Sequence, residues 1–254
     1  MSRIRIGLAL AGVAWVQCGV ASAAELWFAD QRAFPGVVWH AVEDRPERLL
    51  VRRQPGADPA FPRAVMKVAQ VAAAPDGAFY FCSGLDGYVL GLLDQRHEVL
   101  AFEFPGQVRD LACGGEDQAV YFSVVRRPRD GEPRADGKIY RRDLWQGAAA
   151  EVATIRQTDV GGHWWGTFTV REGVVILATT EPRSRLFRVA GGTPEPIFRE
   201  CDRRISGLEA DGEEYLVADG DGRISRTRDF AELTPVRSGA ARFSDVTVRR
   251  TPGE

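Results

Sequence analysis

The sequence predicts an all-β fold, a β-propeller of five four-stranded antiparallel blades, and three observations predict it. One five-residue pattern recurs five times, a second strand follows each copy after a turn, and the two ends are complementary, one lacking the strand that the other has in excess. Self-similar runs of short strands mark repeat architectures.

The recurring pattern comprises Leu26-Trp27-Phe28-Ala29-Asp30, Phe79-Tyr80-Phe81-Cys82-Ser83, Val120-Tyr121-Phe122-Ser123-Val124, Val175-Ile176-Leu177-Ala178-Thr179 and Tyr215-Leu216-Val217-Ala218-Asp219. Three bulky residues precede a small one and a mostly polar one. Aromatic and β-branched content without a helical period reads as a buried strand, and the small fourth position predicts close approach by a neighbouring strand. A second strand follows each copy: Gly36 to His40, Gly87 to Gly91, Gly137 to Arg141, Ser184 to Arg188 and Gly222 to Arg226. The glycine that opens four of these suits a turn requiring positive φ.

An inner strand ending in a tight turn precedes each of the last four copies: Gln70 to Ala73, Asp110 to Cys113, Thr167 to Val170 and Gly207 to Ala210. A weaker outer strand closes each unit, as in Val99 to Phe102 and Pro196 to Phe198. The first copy lacks its inner strand, and Ser244-Asp245-Val246-Thr247-Val248 is left over at the other end. Pairing the two closes a ring in a three-plus-one split and removes an open sheet edge. A linear solenoid gives no reason for complementary ends. Successive central residues Phe28, Phe81, Phe122, Leu177 and Val217 are 53, 41, 55 and 40 apart, so five blades are expected and two intervals are long enough for a sixth.

The inner strand, Asp-Gly turn and run such as Tyr215-Leu216-Val217-Ala218-Asp219 resemble the repeat of NHL and SMP-30/gluconolactonase-like propellers across nearly the whole chain after residue 23. The resemblance implies a propeller and, in the SMP-30 group, lactonase activity with a central divalent metal held by Glu, Asn and Asp. This chain contains no Asn, so that ligand set is incomplete here.

Composition narrows the function classes. With 44% hydrophobic and 27% charged residues the 254-residue chain is globular, neither disordered nor collagenous. A net charge of −2 gives no surplus for neutralising phosphates, so nucleic acid is not an expected partner. Only Lys67 and Lys138 are lysine among 33 basic residues, which lowers the information in any arginine-rich stretch.

Arg3 and Arg5, the apolar run Ile6 to Val20 and the small-x-small Ala21-Ser22-Ala23 read as a secretory signal peptide over residues 1–23. A single propeller domain then occupies residues 24–254. Removing 23 of the 254 residues leaves 231, with 31 basic against 35 acidic side chains and a charge of −4. No later segment is apolar enough to span a membrane, and the expected destination is the periplasm or the outside of the cell. Cys82, Cys113 and Cys201 remain, an odd number at wide spacing, which argues for a core-stabilised fold without a disulfide framework and against a zinc site.

In a propeller the inner strands line a central channel, and the blade-to-blade connections share one face with the loops between second and third strands. The position where each inner strand begins holds Gln70, Asp110, Thr167, Gly207 and Asp245, preceded by Ala69, Arg109, Gly166, Ser206 and Ser244. Asp110 and Asp245 are the candidate carboxylate pair, able to share protons, bind a cation or act as acid and base in glycoside hydrolysis. Alternatively they satisfy backbone amides. Gly161-Gly162-His163-Trp164-Trp165-Gly166, a blade-to-blade connection, offers two indoles and an imidazole for a sugar or other planar ligand; otherwise the Trp pair plugs the channel. Arg203 and Arg204, at the next junction, suit a carboxylate or phosphate, or else a solvated or Asp202-paired role.

Arg126 to Asp136 is a mobile surface insertion, a lid, a docking element or a tolerated loop. His40 falls in a third-strand column near solvent and Cys82 in the small-residue column. Asp219-Gly220-Asp221-Gly222 reads as a turn, because the remaining ligands of a calcium loop are missing.

These readings give an exported, monomeric propeller that binds a small molecule or an envelope protein at one face of its channel, without catalysis or cofactor. The binding candidates are Gln70, Arg109, Asp110, His163, Trp164, Trp165, Arg204 and Asp245. The alternatives are a hydrolase, either lactonase-like with a non-standard divalent metal site or a glycosidase using Asp110 and Asp245 with His163, and a structural scaffold in an envelope complex.

Overall fold

The computed structural model describes residues 25–30, 37–42, 45–50, 70–73, 79–82, 88–93, 96–101, 107–114, 118–125, 136–143, 148–161, 165–179, 183–201, 203–238 and 243–249. Among these residues the chain forms twenty strands and one short 3-10 helix, Gln157–Val160. Strands β1 (Glu25–Asp30), β2 (Val37–Val42) and β3 (Arg45–Leu50) are followed by β4 (Gln70–Ala73), β5 (Phe79–Cys82), β6 (Tyr88–Leu93) and β7 (Arg96–Ala101). Then come β8 (Gln107–Gly114), β9 (Ala119–Val125), β10 (Gly137–Asp143) and β11 (Ala150–Ile155), and β12 (Trp165–Arg171), β13 (Val174–Thr179), β14 (Ser184–Ala190) and β15 (Thr193–Cys201). The last are β16 (Ile205–Asp211), β17 (Glu214–Asp219), β18 (Arg223–Thr227), β19 (Thr234–Ser238) and β20 (Phe243–Arg249). No helix among the described residues is long and apolar enough to cross a membrane.

The strands make five four-stranded antiparallel sheets among the described residues. Four are consecutive meanders, β4 to β7, β8 to β11, β12 to β15 and β16 to β19, and the fifth runs β20-β1-β2-β3. The last strand therefore completes the first blade, as the complementary ends require, with Leu26 opposite Val248 and Phe28 opposite Val246. Inner strands touch in the cyclic order β4, β8, β12, β16, β20 and back to β4, so the blades close a ring.

The register explains the recurring pattern. The third, bulky residue of each copy lies opposite an apolar residue of its own inner strand: Phe28 opposite Val246, Phe81 opposite Val71, Phe122 opposite Leu111, Leu177 opposite Phe168 and Val217 opposite Leu208. Directly opposed residues share a sheet face, and where described these pairs are buried. They feed the cores between blades. Phe168, Val170 and Leu177 of the fourth blade pack with Tyr121, Ile139 and Ile155 of the third, while Leu208, Tyr215 and Val217 of the fifth pack with Ile176 and Leu186 of the fourth. The small fourth residue points the other way, because side chains alternate faces.

The polar fifth residue closes the turn into the third strand. The Asp219 carboxylate accepts the N–H groups of Asp221 and Arg223, both at 3.0 Å, and the Thr179 hydroxyl accepts that of Arg185 at 2.9 Å. Such side chains substitute for a backbone turn partner, so Asp219-Gly220-Asp221-Gly222 is a turn between β17 and β18. The opening glycines are not uniform. Gly222 has φ +86°, but Gly137 sits inside β10, paired on both sides, without positive φ. Ser184, which breaks the glycine column, accepts the Ile205 N–H of the next blade through its hydroxyl at 2.8 Å.

Glu172 and Gly173, both at positive φ, turn β12 into β13 in the manner of a type I′ hairpin. Phe230 adopts φ +64°, where a bulky side chain is rarely found. It is held there by its N–H to the Thr227 hydroxyl and by its ring, 4.7 Å from that of Tyr215. Cys113 and Cys201 are buried free thiols.

Because β20 supplies the inner strand of the first blade, deleting residues 243–254 exposes the unpaired edge of β1 and the seams that β20 makes with β16 and β4. The truncated chain is expected to lose the cooperative thermal transition of the full chain, as followed by circular dichroism; a transition at the original temperature would show that closure is dispensable.

Candidate functional site

The small fourth residue of each copy lies opposite one and the same column of the inner strands. Ala29 faces Asp245, Cys82 faces Gln70, Ser123 faces Asp110, Ala178 faces Thr167 and Ala218 faces Gly207. This column is the set of channel-side positions aligned from the sequence. Small partners keep its surroundings narrow enough for the next blade to approach, and at Gly207 the approach is extreme. A Cβ there would lie 2.5 Å from Asp245 Cα and 2.8 Å from its Oδ1. Only glycine fits where the fifth blade meets the first.

In four blades the inner strand is irregular at the residue just before this column. The ladder shifts between Val108 and Asp110, between Trp165 and Thr167, between Ile205 and Gly207, and at Asp245, where its partner Ala29 is followed by Asp30 opposite Phe243. One extra residue is thus extruded in each: Arg109, Gly166, Ser206 and Ser244. A β-bulge of this kind re-aims a side chain and ends regular pairing.

Asp110 is fully buried, and its Oδ2 accepts the Phe168 N–H of the next blade at 2.6 Å. Asp245 is also buried, and its Oδ1 accepts the N–H of Val246 at 2.8 Å. The same forward reach recurs two residues further along the fourth blade, where the Thr169 hydroxyl accepts Ala210 N–H at 3.0 Å. One oxygen of each aspartate of the candidate carboxylate pair, Asp110 Oδ2 and Asp245 Oδ1, therefore accepts from a main-chain donor.

Arg109 is exposed between two fully buried neighbours, Val108 and Asp110. Arg204 is exposed, its carbonyl accepting Gly220 N–H at 3.2 Å. Arg203 reaches the buried carboxylate of Asp219, with Nη1 and Oδ2 3.6 Å apart. Trp165 opens β12 opposite Thr179, and Gln70 opens β4 opposite Cys82. His163, Trp164, Asp202, residues 1–23 and the insertion from Arg126 to Ala135 lie outside the described residues. His40 lies in β2 opposite Trp27 and Glu47. Thr169 and Ser184, which tie neighbouring blades, were not singled out from the sequence; the only signal was that Ser184 stands where other blades have glycine.

In the third blade, Glu151 on the outer strand β11 and Lys138 and Tyr140 on the neighbouring β10 are clearly shifted. Hydrogen bonds from Lys138 and Thr154 hold the Glu151 carboxyl below its ordinary range, and the bond to Glu151 raises Lys138. Burial raises Tyr140.

The Glu, Asn and Asp metal set of the SMP-30 group does not fit these positions. The column offers Gln70, Asp110, Thr167, Gly207 and Asp245, with no Asn anywhere, and Asp110 Oδ2 is already committed to an amide. Among the described residues no three His, Cys, Asp or Glu side chains form a group able to hold a metal ion.

No protein-family model matches the sequence, and no curated protein matches it significantly. Solved structures are similar in fold. The gluconolactonase XC5397 of Xanthomonas campestris superposes with a TM-score of 0.56 at 13% identity, over 87% of this chain and 82% of that one. A streptogramin B lyase gives 0.49 at 12% identity, over 84% and 74%. A chain of a nidogen/laminin complex gives 0.47 at 9%, over 89% and 98%. The chain is an all-β propeller with a fold-level likeness to the gluconolactonase-like propellers.

Two substitutions test this geometry. Gly207→Ala forces the fifth and first blades apart and is expected to destabilise by about 1–3 kcal/mol, a fall in Tm of roughly 2–12 °C; an unchanged Tm would contradict the contact with Asp245. Asp110→Ala strands the buried Phe168 amide and is expected to lose about 1–3 kcal/mol in urea unfolding, with Asp110→Asn losing less because it keeps an acceptor.

Proposed function

We propose that residues 24–254 form an exported, monomeric propeller that binds a small molecule or an envelope protein at the face of the blade-to-blade connections, without catalysis of its own. The observation that carries this reading is the state of the two candidate acids. Asp110 and Asp245 are buried and accept main-chain N–H groups. A glycosidase pair needs one carboxyl protonated and the other free to attack or to activate water, and carboxylates bound into the backbone suit a structural part. The extruded residues at the column, with the indoles of Trp164 and Trp165 and the imidazole of His163 in the adjoining connection, supply contact area suited to a ligand. Residues 1–23 act as the export signal in this reading, and no resident cofactor is invoked.

The test combines binding and turnover. The purified chain is expected to show saturable quenching of tryptophan fluorescence by members of a metabolite library, lost in the double variant His163→Ala, Trp164→Ala. It is expected to leave D-glucono-δ-lactone and aryl glycosides unhydrolysed with or without added calcium. Turnover abolished by Asp110→Asn together with Asp245→Asn would overturn the binding reading in favour of a hydrolase.

A further inference from the structure

Hydrogen bonds across the seams follow the period of the strand. In β16 the Ala210 N–H turns out of the ladder to meet the Thr169 hydroxyl of the fourth blade. Alternate residues of a strand direct their amides to the same side, and the pairing of β16 is regular from Gly207 to Asp211. The N–H of Leu208, two residues before Ala210, therefore leaves the ladder on that side as well. Leu208 holds in β16 the place that Phe168 holds in β12, one residue after the channel column. In β12 this amide is met directly, by the Asp110 carboxylate at 2.6 Å. One seam later the column residue is Thr167, which shares a strand face with Thr169 and so looks toward β16. Thr167 is wholly buried, and its hydroxyl oxygen makes no hydrogen bond among the described residues. Its reach is one bond shorter than that of an aspartate.

We infer that the seam between the fourth and fifth blades binds one water molecule, which accepts the Leu208 N–H and donates to Thr167 Oγ1. Leu208 is itself buried, so neither its amide nor the Thr167 hydroxyl has bulk solvent to turn to, and each is costly to leave unpaired. A donor and an acceptor facing one another across a seam are the two partners that hold an internal water. A cation does not suit the same place, because an N–H group has no lone pair to offer it. Two neighbouring seams thus meet the same main-chain demand by different means, a carboxylate at the third blade and a hydroxyl with a water at the fourth. The site belongs to the wheel itself and stands apart from whatever binds at the channel mouth.

The experiment uses the full chain after residue 23. A crystal structure that orders solvent is expected to show a peak about 3 Å from both Thr167 Oγ1 and Leu208 N, without anomalous signal when rubidium replaces sodium. In solution the Leu208 N–H is expected to give cross-peaks to water of opposite sign in NOESY and ROESY spectra, the mark of a long-lived bound molecule. Thr167→Val separates a hydroxyl that holds water from one that is truly orphaned. Loss of a water-bonded hydroxyl is expected to lower Tm by roughly 2–12 °C, whereas removing an orphaned one leaves Tm unchanged or raises it. Thr167→Ser keeps the hydroxyl and should keep the water signals, which decides the matter should the valine variant not fold. In Thr167→Asp the carboxylate is expected to reach the Leu208 amide directly, as Asp110 reaches Phe168, and to expel the water. An empty seam, a rubidium peak, missing water signals at Leu208, or a valine variant at least as stable as the parent overturns the inference.

Discussion

The wheel depends on how closely adjacent inner strands can run. Each blade places a large residue on the side facing its predecessor and a small one, on the next residue, toward its successor. That alternation follows from the two-residue period of a strand and gives every seam one filled and one hollow side. Where the alternation is strictest, at Gly207 against Asp245, main chain lies on main chain and the last blade is locked to the first.

Polar groups finish what packing begins. The cores between blades are apolar, but their hub edge contains main-chain amides that face neither water nor a neighbouring strand, and burying them without an acceptor costs about 1–3 kcal/mol each. Asp110, Thr169 and Ser184 each cross a seam to meet one such donor, always from an earlier blade to a later one. The buried acid at the hub thus meets the amide of the next blade through one of its two oxygens. Asp219 does the corresponding work inside a single blade, where one oxygen closes a turn and the other meets Arg203.

Much of this was legible in the linear sequence because it is periodic. The bulky-small-polar pattern, the second strand, the unpaired end and the channel column are local features repeated in every unit, and repetition makes weak signals add. What escaped reading is not periodic. The amide that Asp110 receives belongs to a residue 58 positions away, and nothing near either partner announces it. The bulge leaves only a faint trace, small residues at Gly166, Ser206 and Ser244, and Arg109 hides even that. Gly137 looked like a turn glycine but opens a strand, and Phe230 takes a conformation that no sequence rule assigns to phenylalanine, since its bond to the Thr227 hydroxyl and its packing against Tyr215 maintain it.

The extruded residue before each channel position has a consequence for how such a protein changes over generations. Its backbone is passed over by the strand ladder, so replacing it leaves strand register unchanged while altering the chemistry presented at that end of the blade. Four of the five blades contribute one such exchangeable position, a row of dials on a fixed frame. Descendants of one wheel can therefore drift toward different molecular tastes by single substitutions, without passing through an unstable intermediate.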